Sequence, residues 1–400
     1  MQQTTTGMIK GAERLECVQE YYFSRKLKEV AQMNAEGKDV ISLAIGSPDM
    51  PPSEQTIRTL CEVARQPSAH GYQPTMGTSE LREAMATYYK RTYQVEVNPK
   101  TEVLPLIGSK EGILHVTLAF VNPGETVLVP NPGYPTYTSL SSLLGAKVEY
   151  YDLMEETGWL PDFDELFKRD LSHVKLMWTN YPHMPTGTPA SQEVYDRLLA
   201  LAAKNHFVIV NDNPYSRILN RKKPLSVFNA RTADHTIDVK DYCIELNSLS
   251  KSHNMPGWRV GMCIAKPQYI SWILKVKSNI DSGTFRGLQL AAAEALTTNT
   301  EEWHTEHNIN VYSRRRHIAE QIMDRLNCTF SPNQVGMFLW GRIPDCYSNA
   351  EELTELVLHK ARVFITPGGI FGSNGKRYIR ISLCADEEKF NEALQRISRM

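Results

Sequence analysis

Short apolar, β-branched runs recur along the middle of this 400-residue chain, at 102–107, 126–130, 147–151, 174–179, 207–212, 242–247 and 259–265. Most are separated by stretches with helical spacing, at 110–120, 136–144 and 191–205. Strands alternating with helices predict an α/β fold whose mostly parallel seven-stranded sheet is covered by helices on both faces. This alternation marks a large domain over about 56–295. Upstream, 13–34 reads as an amphipathic helix and 39–45 as a strand, broken by Gly46-Ser47-Pro48-Asp49. Thr78-Ser79, with Glu80 and Glu83 behind it, opens a predicted helix that runs to about Arg91. Downstream, 301–326 reads as one long helix, 336–343 and 377–383 as strands, and a last helix starts at Asp386. The two ends, 1–55 and 296–400, are expected to build a small α+β domain together.

Composition narrows the function classes. Hydrophobic residues make up 42% and charged residues 22%, an ordinary globular balance. A formal net charge of -1 offers no electrostatic attraction to nucleic acid or an anionic membrane. No apolar run reaches the ~18 residues of a membrane span, and the start at 1–10 is too polar for a signal peptide. Seven cysteines (Cys17, Cys61, Cys243, Cys263, Cys328, Cys346 and Cys384) are scattered without CxxC spacing. They read as reduced thiols of a cytoplasmic protein, and no metal site is expected.

The chemistry concentrates at 248–259, SLSKSHNMPGWR. A lysine amine becomes a nucleophile when desolvation or nearby cations lower its pKa. Lys251 follows a predicted strand, at the strand end where open α/β sheets bind ligands. Ser248 and Ser250 can donate hydroxyl hydrogen bonds to a phosphate, and Arg259 can clamp one through two parallel bonds. The pattern resembles the cofactor-lysine site of fold-type I pyridoxal 5′-phosphate (PLP) enzymes, in particular class I/II aminotransferases. The wording GSKEG (108–112), LAFVNPGETVLVPNPGYP (118–135) and KSNIDSG (277–283) looks most like the diaminopimelate aminotransferase-like branch.

The resemblance implies further parts. The loop at Ser109 and Lys110, opening a helix after a strand, would cradle the PLP phosphate with backbone amides. Asp212 would pair with the pyridinium nitrogen and Tyr215 with the phenolic oxygen. Tyr134 would stack on the ring, although a Pro-Gly turn tyrosine is also an adequate reading of that position. Tyr72 would reach the phosphate of a neighbouring subunit, which implies a homodimer with shared active sites. Arg380, inside an apolar strand, would grip the substrate α-carboxylate together with the Gly46 backbone, and Asn279, Ser282 and Thr284 would line the distal pocket, either of their own chain or of the partner subunit.

One position departs from the family. Asn180-Tyr181-Pro182-His183-Met184-Pro185-Thr186-Gly187 resembles its Asn-x-Pro-x-Asn-Pro-Thr-Gly, but Met184 replaces the second asparagine. A thioether cannot donate, so either Asn180 or another group compensates at the cofactor's phenolic oxygen, or Tyr215 carries the contact alone. The implied reaction moves an amino group from an L-amino acid to a 2-oxo acid, with LL-diaminopimelate and 2-oxoglutarate as one candidate pair. Alanine, aspartate and methionine are other candidate donors. Lys251 would act as the general base. Two rivals are a PLP-dependent β-lyase, which the same site would support, and a PLP-sensing regulator. The second is disfavoured by the lack of a basic helix-turn-helix signal.

Overall fold

The computed structural model describes residues 9–18, 22–233 and 236–400. Residues 1–8 of the polar start, and 19–21 within the expected first helix, lie outside the described residues. All seven expected strands are present: β1 Val103–Leu106, β2 Thr126–Asn131, β3 Lys147–Asp152, β4 Val174–Thr179, β5 Val208–Asp212, β6 Cys243–Ser248 and β7 Gly261–Ile264. They form one sheet in the order β1-β7-β6-β5-β4-β2-β3. Only β7 runs against its neighbours; the other pairings are parallel. Every residue of β2 and β6 is buried; β2 accordingly reads as a nearly apolar run, while β6 also buries the polar Glu245, Asn247 and Ser248. Successive residues feed opposite faces: Val127 and Val129 enter one core cluster and Leu128 the other.

Helices cover both faces, and several helices of the chain start on a side-chain cap. Thr78 accepts from the Leu81 amide at 3.3 Å and opens helix Ser79–Tyr93. Ser191 caps Gln192–Asn205 through the Val194 amide at 3.2 Å, and Asp386 caps Glu387–Ser398 through that of Lys389 at 2.8 Å. Helices Ser109–Phe120, Pro135–Leu143 and Pro267–Lys277 also pack on this sheet, whereas Ala350–Ala361 and Glu387–Ser398 pack near Val363–Phe364 in the C-terminal region.

A second sheet contains β8 Thr329–Phe330, β9 Phe338–Arg342, β10 Thr366–Pro367 and β11 Tyr378–Ser382, in the antiparallel order β10-β11-β9-β8. The N-terminal segment joins this region: Ile41–Ser42 pairs in parallel with Val363–Phe364. The expected strand at 39–45 shrinks to those two residues. Beyond them the carbonyls of Leu43, Ala44 and Ile45 are taken by the Ser382 amide, the Arg380 guanidinium and the Ser382 hydroxyl, not by a strand ladder. The expected helix at 301–326 is interrupted by a π-helical stretch, Thr305–Asn310, between Glu301–His304 and Val311–Arg325. There Asn308 donates to the Ser252 carbonyl at 2.8 Å, a tertiary bond that local periodicity does not reveal.

Candidate active site

The carboxyl ends of β2, β4, β5 and β6, with the loop after β1, meet around a cavity of about 520 Å³. β6 ends at Ser248, and the helical turn Leu249–Ser252 that follows carries Lys251 into the cavity. Ser248 accepts from the Ser250 amide at 3.1 Å and donates to the Ser250 hydroxyl at 2.8 Å, which fixes the turn. Lys251 donates to the Gly46 carbonyl. Burial is the main force lowering its amine's pKa, and the Arg380 and Arg259 charges push the same way against Cys384 and Asp212.

Across the cavity floor, β1 leads through Gly108 to helix Ser109–Phe120. Gly108 has φ +78°, and a Cβ there would lie 2.2 Å from Arg259 Nη2. A Cβ on Gly261 would lie 2.8 Å from the Ser109 nitrogen. Both positions must therefore lack a side chain for the guanidinium and the helix start to approach. Arg259, at φ 57°, is steadied by a 2.8 Å bond to the Pro256 carbonyl. Ser109, Lys110, Ser248, Ser250 and Arg259 thus converge on one concave, donor-rich wall.

Asp212 closes β5 and is buried. Its Oδ2 accepts from the Tyr137 hydroxyl at 3.0 Å, while Oδ1 is buried with no partner among the described residues. Burial raises the carboxyl to about 7; Glu245 adds to the rise, and Tyr137, Lys251 and Ser109 oppose it. Asn180 donates to the Asp212 carbonyl at 2.5 Å and accepts from the Met184 amide at 2.9 Å, so its amide braces the backbone. Tyr134 and Tyr215 line the cavity, Tyr134 edge-on to Tyr137 at 5.5 Å and Tyr215 edge-on to Phe338 at 5.8 Å. Burial, with Asp212 adding, pushes the Tyr215 hydroxyl upward.

Arg380 comes from β11 and is 4% exposed. Nη2 donates to the Ala44 carbonyl at 2.8 Å, and Nη1 contacts the Met184 sulfur at 3.4 Å. The guanidinium carbon sits 4.0 Å from the Phe338 ring centre and 4.6 Å from that of Phe371. The thioether that replaces the expected asparagine therefore rests against the arginine, in an apolar box. Gly46 is also on the wall, where a Cβ would strike the Phe338 ring at 2.4 Å.

Within a single chain the structure brings together all the expected cofactor and carboxylate residues except Tyr72. Tyr72 is 93% exposed and outside the cavity wall. Asn279, Ser282 and Thr284, expected at the distal pocket of their own chain or of the partner subunit, lie outside this chain's cavity: the Asn279 amide donates to the Lys275 carbonyl at the end of helix Pro267–Lys277.

Two groups escaped the sequence reading. Tyr137 stacks on Trp178 at 5.0 Å with nearly parallel rings (3°), which aims its hydroxyl at Asp212. Its place in the first turn of the Pro135–Leu143 helix, three residues after Tyr134, was the available signal. Glu245, fully buried on β6, accepts from Tyr89, Ser226, Asn211 and the Val227 amide at 2.8–3.1 Å.

Residues 38–397 match the family of aminotransferase class I and II. The chain belongs to this aminotransferase family. It is 38% identical to an LL-diaminopimelate aminotransferase of Dehalococcoides mccartyi over 98% of both chains. It is 36% identical to the Aquifex aeolicus enzyme of the same name, covering 98% of this chain and 100% of that one. Among solved structures, substrate-bound BacF from Bacillus subtilis superposes with a TM-score of 0.91 at 33% identity over 98% of both chains. A Thermus thermophilus aspartate aminotransferase mutant, at 23% identity and TM-score 0.89 over 98% of this chain and 100% of that one, shares the fold.

The aminotransferase is an enzyme of PLP fold type I, and its cofactor is PLP. Three features of the cavity fit that group. The buried, partnerless Asp212 Oδ1 can receive a ring N–H. The Arg259 guanidinium and the Ser109 helix start, brought close by Gly108 and Gly261, offer donors to a phosphate. The Lys251 amine lines the same cavity. Among the described residues no helix is long and apolar enough to cross a membrane.

Proposed function

We propose that Lys251 is the catalytic amine of a reaction moving an amino group from an L-amino acid to a 2-oxo acid. LL-diaminopimelate and 2-oxoglutarate form the proposed pair, a reading supported by the names of the relatives. When bound, PLP supplies an electron sink that acidifies the proton on the substrate's Cα. Arg259, Ser248, Ser250 and the Ser109 and Lys110 amides hold the phosphate, and Tyr134 packs on the ring. Asp212, braced by Asn180 and Tyr137, accepts the ring N–H, and Tyr215 donates to the phenolic oxygen. Arg380 and the Gly46 backbone receive the substrate carboxylate. Lys251, kept less basic by burial, then takes the proton at Cα.

The observation that carries this reading is one buried cavity holding Lys251, Asp212, Arg259 and Arg380. The exposed Tyr72 supports a homodimer in which it reaches the neighbour's phosphate. We divide the chain into an N-terminal segment 1–55, a large domain 56–295 and a C-terminal domain 296–400, and place it in the cytoplasm. Seven unpaired cysteines support that location. Lys251→Ala should retain a folded, cofactor-binding protein without turnover. Near-normal multiple turnover in that variant would overturn the assignment of the base.

A further inference from the structure

Away from the cofactor, a second cavity of about 520 Å³ opens between the end of helix Ser79–Tyr93, the loop at 217–224 and the start of the Glu301 segment. Its wall carries five cationic side chains, Arg91, Arg217, Arg221, Lys222 and Lys223, against one carboxylate, Glu301, a formal excess of four positive charges. Like charges gathered in a concave wall repel one another and focus a positive potential into the cleft.

The cations are held in place to different degrees. Arg217 is only 7% exposed and donates to Glu301 Oε2 at 2.6 Å and to Thr92 Oγ1 at 3.5 Å. Arg91 donates to the carbonyls of Leu296 and Thr297, at 2.7 and 3.2 Å. Lys223 is tied to the Gln94 side chain. The side chains of Arg221 and Lys222 are exposed and have no hydrogen-bond or ion-pair partner among the described residues. A surface chosen for solubility alone would not need a buried arginine at its base. Guanidinium and ammonium groups are the side chains that bind oxyanions, and Arg221 and Lys222 in this wall are uncommitted.

We infer that this cavity binds a small, multiply charged oxyanion, distinct from the cofactor. Its volume falls in the range of small-molecule sites, roughly 300–1,000 Å³. The cavity also has a short route of contacts to the catalytic turn. His304 lines it, and the His304 ring packs edge-on to His253 at 5.0 Å. Asn308 bridges His304 Nδ1 at 2.9 Å and the carbonyl of Ser252, the residue after Lys251, at 2.8 Å.

The test is calorimetric titration of the full, PLP-saturated protein at low ionic strength, with pyrophosphate and with citrate as separate probes. At least one should bind saturably, one per chain, with a Kd on the order of 1 mM or tighter. The Arg221→Ala/Lys222→Ala double variant should bind that probe about tenfold more weakly or worse, because two uncommitted charges are removed. Both positions are exposed, so folding and basal turnover should be unchanged. Binding of pyrophosphate alone would point to a phosphate-bearing ligand, and of citrate alone to a polycarboxylate. No saturable binding of either probe, or equal binding by the variant, would overturn the inference. These outcomes do not depend on whether the first cavity transaminates.

Discussion

Removing a single oxygen, in Tyr137→Phe, separates the support of Asp212 from the packing around it. The Tyr137 ring is held by its stack on Trp178, so phenylalanine should keep the same place. What disappears is the 3.0 Å bond from the hydroxyl to Asp212 Oδ2. A hydrogen bond to a charged acceptor contributes about 1.5–3 kcal/mol, which corresponds to roughly ten- to hundred-fold in an equilibrium constant. That bond favours the ionised carboxylate, and it opposes the burial that lifts the group to about 7. Its loss should weaken cofactor binding by roughly ten- to hundred-fold. In the cofactor-saturated enzyme kcat should fall while KM for the amino acid stays nearly unchanged, because Arg380 is untouched. Equilibrium titration with PLP, followed by steady-state kinetics at saturating cofactor, measures both. A variant whose cofactor affinity and kcat both stay within about twofold of wild type would refute the reasoning about Asp212.

Other perturbations follow from the same geometry. Gly108→Ala places a Cβ 2.2 Å from Arg259 Nη2 at a positive φ, so PLP affinity should drop about tenfold or more; unchanged affinity in the same titration would argue against this phosphate site. Arg380→Lys keeps the charge but loses the two-pronged geometry, and kcat/KM for amino acids should fall by about ten- to hundred-fold, mainly through KM. In the cofactor-free protein, Asp212 holds its proton more tightly folded than unfolded, with its carboxyl raised from 3.8 to about 7. Its contribution to stability is therefore fully present below about pH 4 and lost as the pH rises through about 7, with an upper size on the order of 4 kcal/mol. Asp212→Asn should flatten that part of the stability–pH curve, measured by urea unfolding from pH 4 to 8; an unchanged slope would count against the buried carboxyl as its source.

Residues 126–131 were legible in the sequence because burial on both faces leaves the apolar run Val127-Leu128-Val129-Pro130, whereas 243–248 shows only Cys243, Ile244 and Leu246 among the buried polar Glu245, Asn247 and Ser248. Lys251, Asp212, Arg259 and Arg380 were legible because the motifs around them occur in one order along the chain, and the fold gathers them around one cavity. Other features depend on contacts that no local pattern encodes. Tyr137 acts through a stack with Trp178, on a strand far along the chain. The π-helical stretch at Thr305–Asn310 keeps near-helical spacing, and only the bond from Asn308 to Ser252 betrays it. The strand expected at 39–45 fails where Arg380 and Ser382 take the backbone carbonyls a ladder would use. Asn279, Ser282 and Thr284 follow helix Pro267–Lys277 outside the chain's own cavity, which leaves the partner subunit's pocket as their expected place. Met184 was legible as a departure, but its contact with Arg380 was visible only in three dimensions.

The central claim, that one cavity uses Lys251 and PLP to move amino groups, is tested most directly by visible absorbance. PLP is added to the purified protein, then LL-diaminopimelate, then 2-oxoglutarate, with Lys251→Ala in parallel. The expected result is a visible cofactor band that disappears with the amino acid and returns with the oxo acid, while the variant shows no such cycle. A wild-type protein with no cofactor band, or a Lys251→Ala variant that cycles as the wild type does, would contradict the account.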